Sequence, residues 1–137
     1  MSALSEAIYD LMTGDPTLEG LLATYRGAPA FFTTDPAPGD ATMPYGVSAG
    51  EVAVAPWDTK TTLGREVWRD VRFYADADGS AVTVEALAER ARALLHRQTL
   101  SVDGFRMVVA ECSGPIAADE DDAYGRILTI RLILEEA

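Results

Sequence analysis

Apolar and polar residues alternate along one stretch of the chain. Val67, Val71, Phe73 and Ala75 fall on one side, and Glu66, Trp68, Asp70, Arg72 and Tyr74 on the other. A period of two predicts a strand from Arg65 to Ala75. Asp78-Gly79 then marks a turn, after which the period changes: Val84, Leu87, Ala88, Ala91, Leu94 and Leu95 recur at the spacing of one helical face. Thr83 is the expected N-cap. Glu85 lies early in this helix and Arg92, His96 and Arg97 lie late, as the helix dipole favours.

The same patterns organise the remaining segments. Leu4, Ala7, Ile8, Leu11 and Met12 define a first helical face, with Ser2 as the expected N-cap and Gly14 just past the end. Asp15-Pro16 starts a second, short helix whose stripe is Leu18, Leu21 and Leu22. Phe31-Phe32 makes a short strand, and Asp35-Pro36-Ala37-Pro38-Gly39-Asp40 reads as an exposed loop. Tyr45, Val47 and Ala49 hold one phase of a strand, whereas Val52 and Val54 hold the other. A β-bulge near Gly50 accounts for the switch. Phe105, Met107 and Val109 follow the Asp103-Gly104 turn, and Leu128, Ile130, Leu132 and Leu134 alternate against Thr129 and Arg131 in a closing strand.

The polar segment from Pro56 to Gly64 separates two strands, so the simplest pairing is a long antiparallel hairpin with a projecting tip. The fold class expected is α+β: a mostly antiparallel sheet of about four to five strands with helices packed on one face. No linker or repeat divides the chain, so residues 1–137 are read as one domain. The second face of the 65–75 strand carries Trp68 and Tyr74 beside charged residues, which suits contact with another surface. Val52, Val54, Trp57 and Trp68 are the expected contributors to a contact between subunits.

Composition narrows the classes. At 137 residues and 48% hydrophobic content, with a mean hydropathy of +0.04, the chain can bury a core, and no apolar run is long enough to cross a bilayer. The first residues carry neither a basic segment nor an apolar signal core, so the expected compartment is the cytoplasm. Cys112 is the only cysteine, which excludes an intrachain disulfide. A formal charge of −11 opposes tight binding to a phosphate backbone.

Candidate chemistry is sparse. Asp76, Asp78 and Glu85 fit the back half of an EF-hand calcium loop, but Tyr74 stands where the first aspartate belongs and a strand precedes it. An ordinary strand-to-helix turn is the simpler reading. Asp119-Glu120-Asp121-Asp122 reads as a solvated loop, because neighbouring carboxylates diverge rather than converge. His96 is the only histidine, and its place near a helix C-terminus accounts for it. Cys112 would need that imidazole as a base, and a buried thiol at a strand end is the plainer reading. Gly14, Gly20 and Gly27 lack the context of a phosphate loop, and the one lysine, Lys60, lies in the hairpin tip. No catalytic residue, cofactor site or metal site is therefore assigned.

The order of elements resembles the tail-completion, or tail-terminator, proteins of long-tailed phages and gene transfer particles. The residues that carry the resemblance are Leu4 to Met12 with Asp15-Pro16, Met43-Pro44-Tyr45-Gly46-Val47, Val71-Arg72-Phe73-Tyr74-Ala75 before Ala86 to Leu95, and Tyr124-Gly125-Arg126 leading into the last strand. The resemblance implies a non-catalytic subunit of a six-membered ring that ends the tail tube and joins it to the head connector. Its implied partners are further copies of itself, the tail tube protein and head-tail connector proteins, with DNA passing through an acidic channel unbound and no membrane involved. Its implied location is the host cytoplasm during assembly and then the head-tail junction of the particle. The alternatives are a head-completion or neck protein of the same kind of particle, or a small metal-dependent hydrolase using Asp76, Asp78 and Glu85.

Overall fold

The computed structural model describes residues 1–137. Three helices, α1 (Ser2–Gly14), α2 (Pro16–Leu21) and α3 (Val82–Leu95), lie on one face of a sheet. The strands are β1 (Thr24–Tyr25), β2 (Ala28–Pro29), β3 (Phe31–Phe32), β4 (Tyr45–Val47), β5 (Glu51–Pro56), β6 (Gly64–Asp76), β7 (Phe105–Ala117) and β8 (Ala123–Glu136). The main sheet has the order β3-β4-β6-β8-β7, with β5 also paired to β6. All of its pairings are antiparallel except β3 with β4. The architecture is thus α+β, as the patterning predicts.

β6 is the spine. Its full length pairs with β8, from Gly64 opposite Glu135 to Asp76 opposite Ala123, and its other edge serves β4 and then β5. Val67, Val71, Phe73 and Ala75 of β6 and Leu128, Ile130, Leu132 and Leu134 of β8 face the helices. Leu4, Ile8, Met12, Leu18, Leu87 and Leu95 close the core from the other side. Each fully buried side chain of this size contributes about 1.5–3 kcal/mol through removal of apolar surface from water.

Several expectations shift on inspection. Ser2 and Thr83 do not cap helices, since both lie inside them; the residues at the cap positions are Met1 and Ala81, neither with a capping side-chain bond. Before α3 the polar turn does the equivalent work, with the Ser80 amide donating to Asp78 Oδ1 at 3.1 Å and the Val82 amide to Ser80 Oγ at 3.4 Å. Gly14 is the last residue of α1 rather than the residue beyond it. Asp15 does cap α2, accepting from the Leu18 amide at 3.0 Å, with Pro16 at the first helical position. The short β1–β2 ladder, turned by Arg26 and Gly27, both with positive φ, had no signal in the hydrophobic pattern.

The expected strand through Gly50 is broken into β4 and β5. Val47 opposes Arg72 and Glu51 opposes Arg69, so four steps on one chain match three on the other, and one extra residue lies near Gly50 (φ 146°). A second irregularity between Glu51 and Ala53 makes Val52 another extra residue. The bulge is therefore present and doubled.

Candidate assembly surface

Helices cover one face of the sheet, and the other face is open. On it Trp68 of β6 stands between Ala53 of β5 and Arg131 of β8, half-buried. Arg131 reaches Glu66 at 2.6 Å and Glu111 at 3.6 Å, Thr129 donates to Asp70 at 2.8 Å, and Arg72 lies 3.5 Å from Asp70. Such exposed pairs stabilise weakly, by at most about 1 kcal/mol each, yet they give the face a fixed charge pattern.

The hairpin of β5 and β6 forms as the spacing predicts. Because β6 is paired to β8 throughout, only the outer arm and the tip stand free. β5 is an edge strand with three successive exposed residues, Val52, Ala53 and Val54, and the two valines are 63% and 55% accessible. Leu63 near the tip is also exposed. An uncovered edge of this kind is a template for another chain. Trp57 does not join it, because its carbonyl and ring lie against Gly64, where an added Cβ would meet them at 2.6 and 3.2 Å. The four residues expected at a subunit contact thus occupy different places: Val52 and Val54 on the free arm, Trp68 on the open face, and Trp57 folded onto its own hairpin.

The arm is tied to the body by a residue that the alternation passed over. Arg69 sits on the core face of β6, in phase with Val67 and Val71, and is fully buried. Its Nε donates to Ser48 Oγ at 2.8 Å, and its Nη2 donates to the Ser48 carbonyl and to Ser5 Oγ, each at 2.8 Å. Its Nη1 reaches Glu51 Oε1 at 3.3 Å, and the same oxygen takes the Met1 amine at 2.7 Å. Burial depresses the Arg69 pKa and Glu51 counters this, so the group keeps its charge by being surrounded with acceptors. One guanidinium therefore joins α1, the β4–β5 break and β5.

The acidic loops gather at the opposite end of the sheet from the hairpin tip. Burial raises the Tyr45 hydroxyl above the ordinary phenol range, and Tyr74, Glu120, Asp122 and Asp35 push the same way. Asp119 anchors the β7–β8 loop, accepting from the Gly125 amide and from Arg126, each at 3.0 Å, while Asp119, Glu120, Asp121 and Asp122 are all exposed.

The candidates for chemistry are not assembled. Asp76, Asp78 and Glu85 do not converge as a ligand group; Asp78 serves its own turn, and Glu85 pairs with Arg126 at 3.2 Å. His96 does meet Cys112, through the backbone: its Nδ1 accepts from the Cys112 amide at 3.0 Å, and Arg92 donates to the Cys112 carbonyl. The thiol is buried, which raises its pKa and holds it protonated. The imidazole is a clasp between α3 and β7.

Comparison with known proteins fits a scaffold that presents surfaces. The family model described as tail completion protein gp17 matches residues 6–135. The chain belongs to the tail completion protein family. A chain in the solved virion of a native gene transfer agent (GTA) particle superposes with a TM-score of 0.80, covering 98% of this chain and 96% of that one at 24% identity. That likeness speaks for the fold. No curated protein matches the sequence. As a tail completion protein the chain has a structural, tail-related role, and its surfaces are the features that such a role uses.

Proposed function

We propose that this tail completion protein is the subunit of a six-membered ring that ends the tail tube and joins it to the head connector, without catalysis. The observation that carries this reading is the pairing of family membership over residues 6–135 with an edge strand, β5, left uncovered in the monomer. Val52, Val54 and Leu63 expose apolar surface along and beside that edge, and β7 ends the far side of the sheet, its outer edge covered at Ala110 and Cys112 by Arg92, His96 and Arg97. Head-to-tail contacts bring unlike edges together, and when the rotation closes they form a ring. Val52, Val54 and Trp68 are the residues we assign to the subunit contact, with Trp57 supporting the hairpin from within.

The partners follow from the same reading: further copies, the tail tube protein on one side and the connector on the other. Six copies multiply the formal charge of −11, so a channel lined by their acids repels the phosphate backbone and DNA passes without sticking. Assembly takes place in the host cytoplasm, and the finished ring stays at the head-tail junction. The test is native mass measurement with negative-stain imaging of the purified protein, alone and mixed with tail tubes. Rings of tube calibre that cap tube ends support the reading. Protein that ignores tubes and binds only the portal side is instead a neck component.

A further inference from the structure

The outer edge of β7 is covered by the end of α3 and the turn that follows it. Arg92 donates to the Cys112 carbonyl, His96 Nδ1 accepts from the Cys112 amide at 3.0 Å, and the Arg97 amide donates to the Ala110 carbonyl at 2.9 Å. Arg97 holds a left-handed backbone (φ 56°), which a residue with a side chain keeps only where its surroundings enforce it. The guanidinium and the backbone amide donate at any ordinary pH, but the imidazole contact is conditional. A ring nitrogen accepts a hydrogen bond only when it carries no proton, so the Cys112 contact requires the neutral ring with its hydrogen on Nε2. His96 also stands at the C-cap of α3, where the helix dipole favours a cation. The hydrogen bond and the dipole thus select opposite charge states of one side chain.

The neighbouring groups leave that conflict in place. α3 and its following turn contribute Arg92 and Arg97, which oppose a further positive charge. β7 contributes Glu111, already 3.6 Å from Arg131, and the Cys112 thiol, which burial keeps protonated. β8 presents the apolar Ile130 opposite Cys112. His96 itself is half-buried, so the ring has access to water. We propose that His96 is a pH-operated cover for the outer edge of β7: neutral, it seals the Cys112 amide, and protonated, it turns away and leaves that amide to solvent. Arg92 stays on the Cys112 carbonyl in both states, so the helix end remains tethered while the amide is released. An uncovered strand edge can pair with another chain, and the cover therefore limits where the sheet accepts a neighbour. The device rests on the fold alone and stands apart from ring formation.

The experiment is amide hydrogen exchange by NMR on the whole protein across the range in which imidazoles gain their proton, about pH 8 to pH 5, each rate divided by the intrinsic rate at that pH. We expect the Cys112 amide to lose about tenfold in protection at the acid end while amides of the β6–β8 ladder keep theirs. His96→Asn puts a side-chain oxygen near the place of Nδ1, accepts at every pH, and should hold Cys112 protected throughout. His96→Phe offers no acceptor and should leave the amide unprotected throughout. Melting temperatures close to that of the parent at the upper pH show that both variants are folded. Protection of Cys112 that does not change with pH in the parent would overturn the proposal. So would a loss in His96→Asn as large as the parent's, or a loss shared by the β6–β8 amides, which marks opening of the whole sheet.

Discussion

Arg69 is the residue on which the arrangement of the arm turns. Removing its side chain leaves Ser48 and Glu51 without their buried donor and opens a space in the core. Arg69→Ala should therefore destabilise by about 3 kcal/mol or more in denaturant unfolding, and Arg69→Met, which refills the volume, by less. A drop below about 1 kcal/mol for the alanine variant would mean that water replaces the guanidinium freely. The alternating pattern contains the clue to this residue, because position 69 is in phase with Val67 and Val71. What it does not contain is the partners, since Ser5, Ser48 and Glu51 come from separate segments. Gly46 is a related case. A Cβ there would lie 2.6 Å from the Phe31 ring and 2.8 Å from that of Phe73, so Gly46→Ala should cost about 1–3 kcal/mol through overpacking.

Among the elements, the α1–α2 corner is locked to α3 by Asp15, which caps α2 and also accepts from Arg90 Nε at 3.0 Å and Nη2 at 2.7 Å. The Arg90 hydrogen bonds lower the Asp15 pKa against the opposing effect of burial. A carboxylate with a lowered folded-state pKa contributes stability that is present in full above its unfolded value and is lost as pH falls through the folded one. The melting-temperature advantage over Asp15→Asn should thus stay constant well above pH 3.8 and shrink below it. A gap that widens in acid would contradict this coupling. Capping by Asp15 was legible because Asp-Pro is a local signal, whereas Ser2 and Thr83 fall inside the first turns, the cap position being one residue earlier at Met1 in α1 and two residues earlier at Ala81 in α3. The strand through Gly50 was legible in phase but not in pairing: the sequence pattern reports an extra residue, and only the register against β6 shows that there are two. The free arm also makes a prediction. Val54→Asp should change monomer stability by less than about 0.5 kcal/mol, since the side chain is already 55% exposed, yet should reduce association of copies in sedimentation.

The whole molecule pairs a well-packed body with uneven margins: a free apolar arm on one side, an acidic loop end, and an open sheet face carrying fixed charges. Patterning revealed the body because a core imposes periods of 2 and 3.6 on the sequence. The margins left weaker traces. Val52 and Val54 could be picked out as apolar residues, but Trp57 could not be separated from them until its ring was seen against Gly64. The proposed ring is the arrangement that covers the arm, and it makes the central claim open to one direct measurement. Native mass spectrometry of the purified protein with tail tubes, read beside negative-stain images, should give a species of six copies with a central hole that caps tube ends. A strictly monomeric protein at every concentration, with bare tube ends in its presence, would contradict the account.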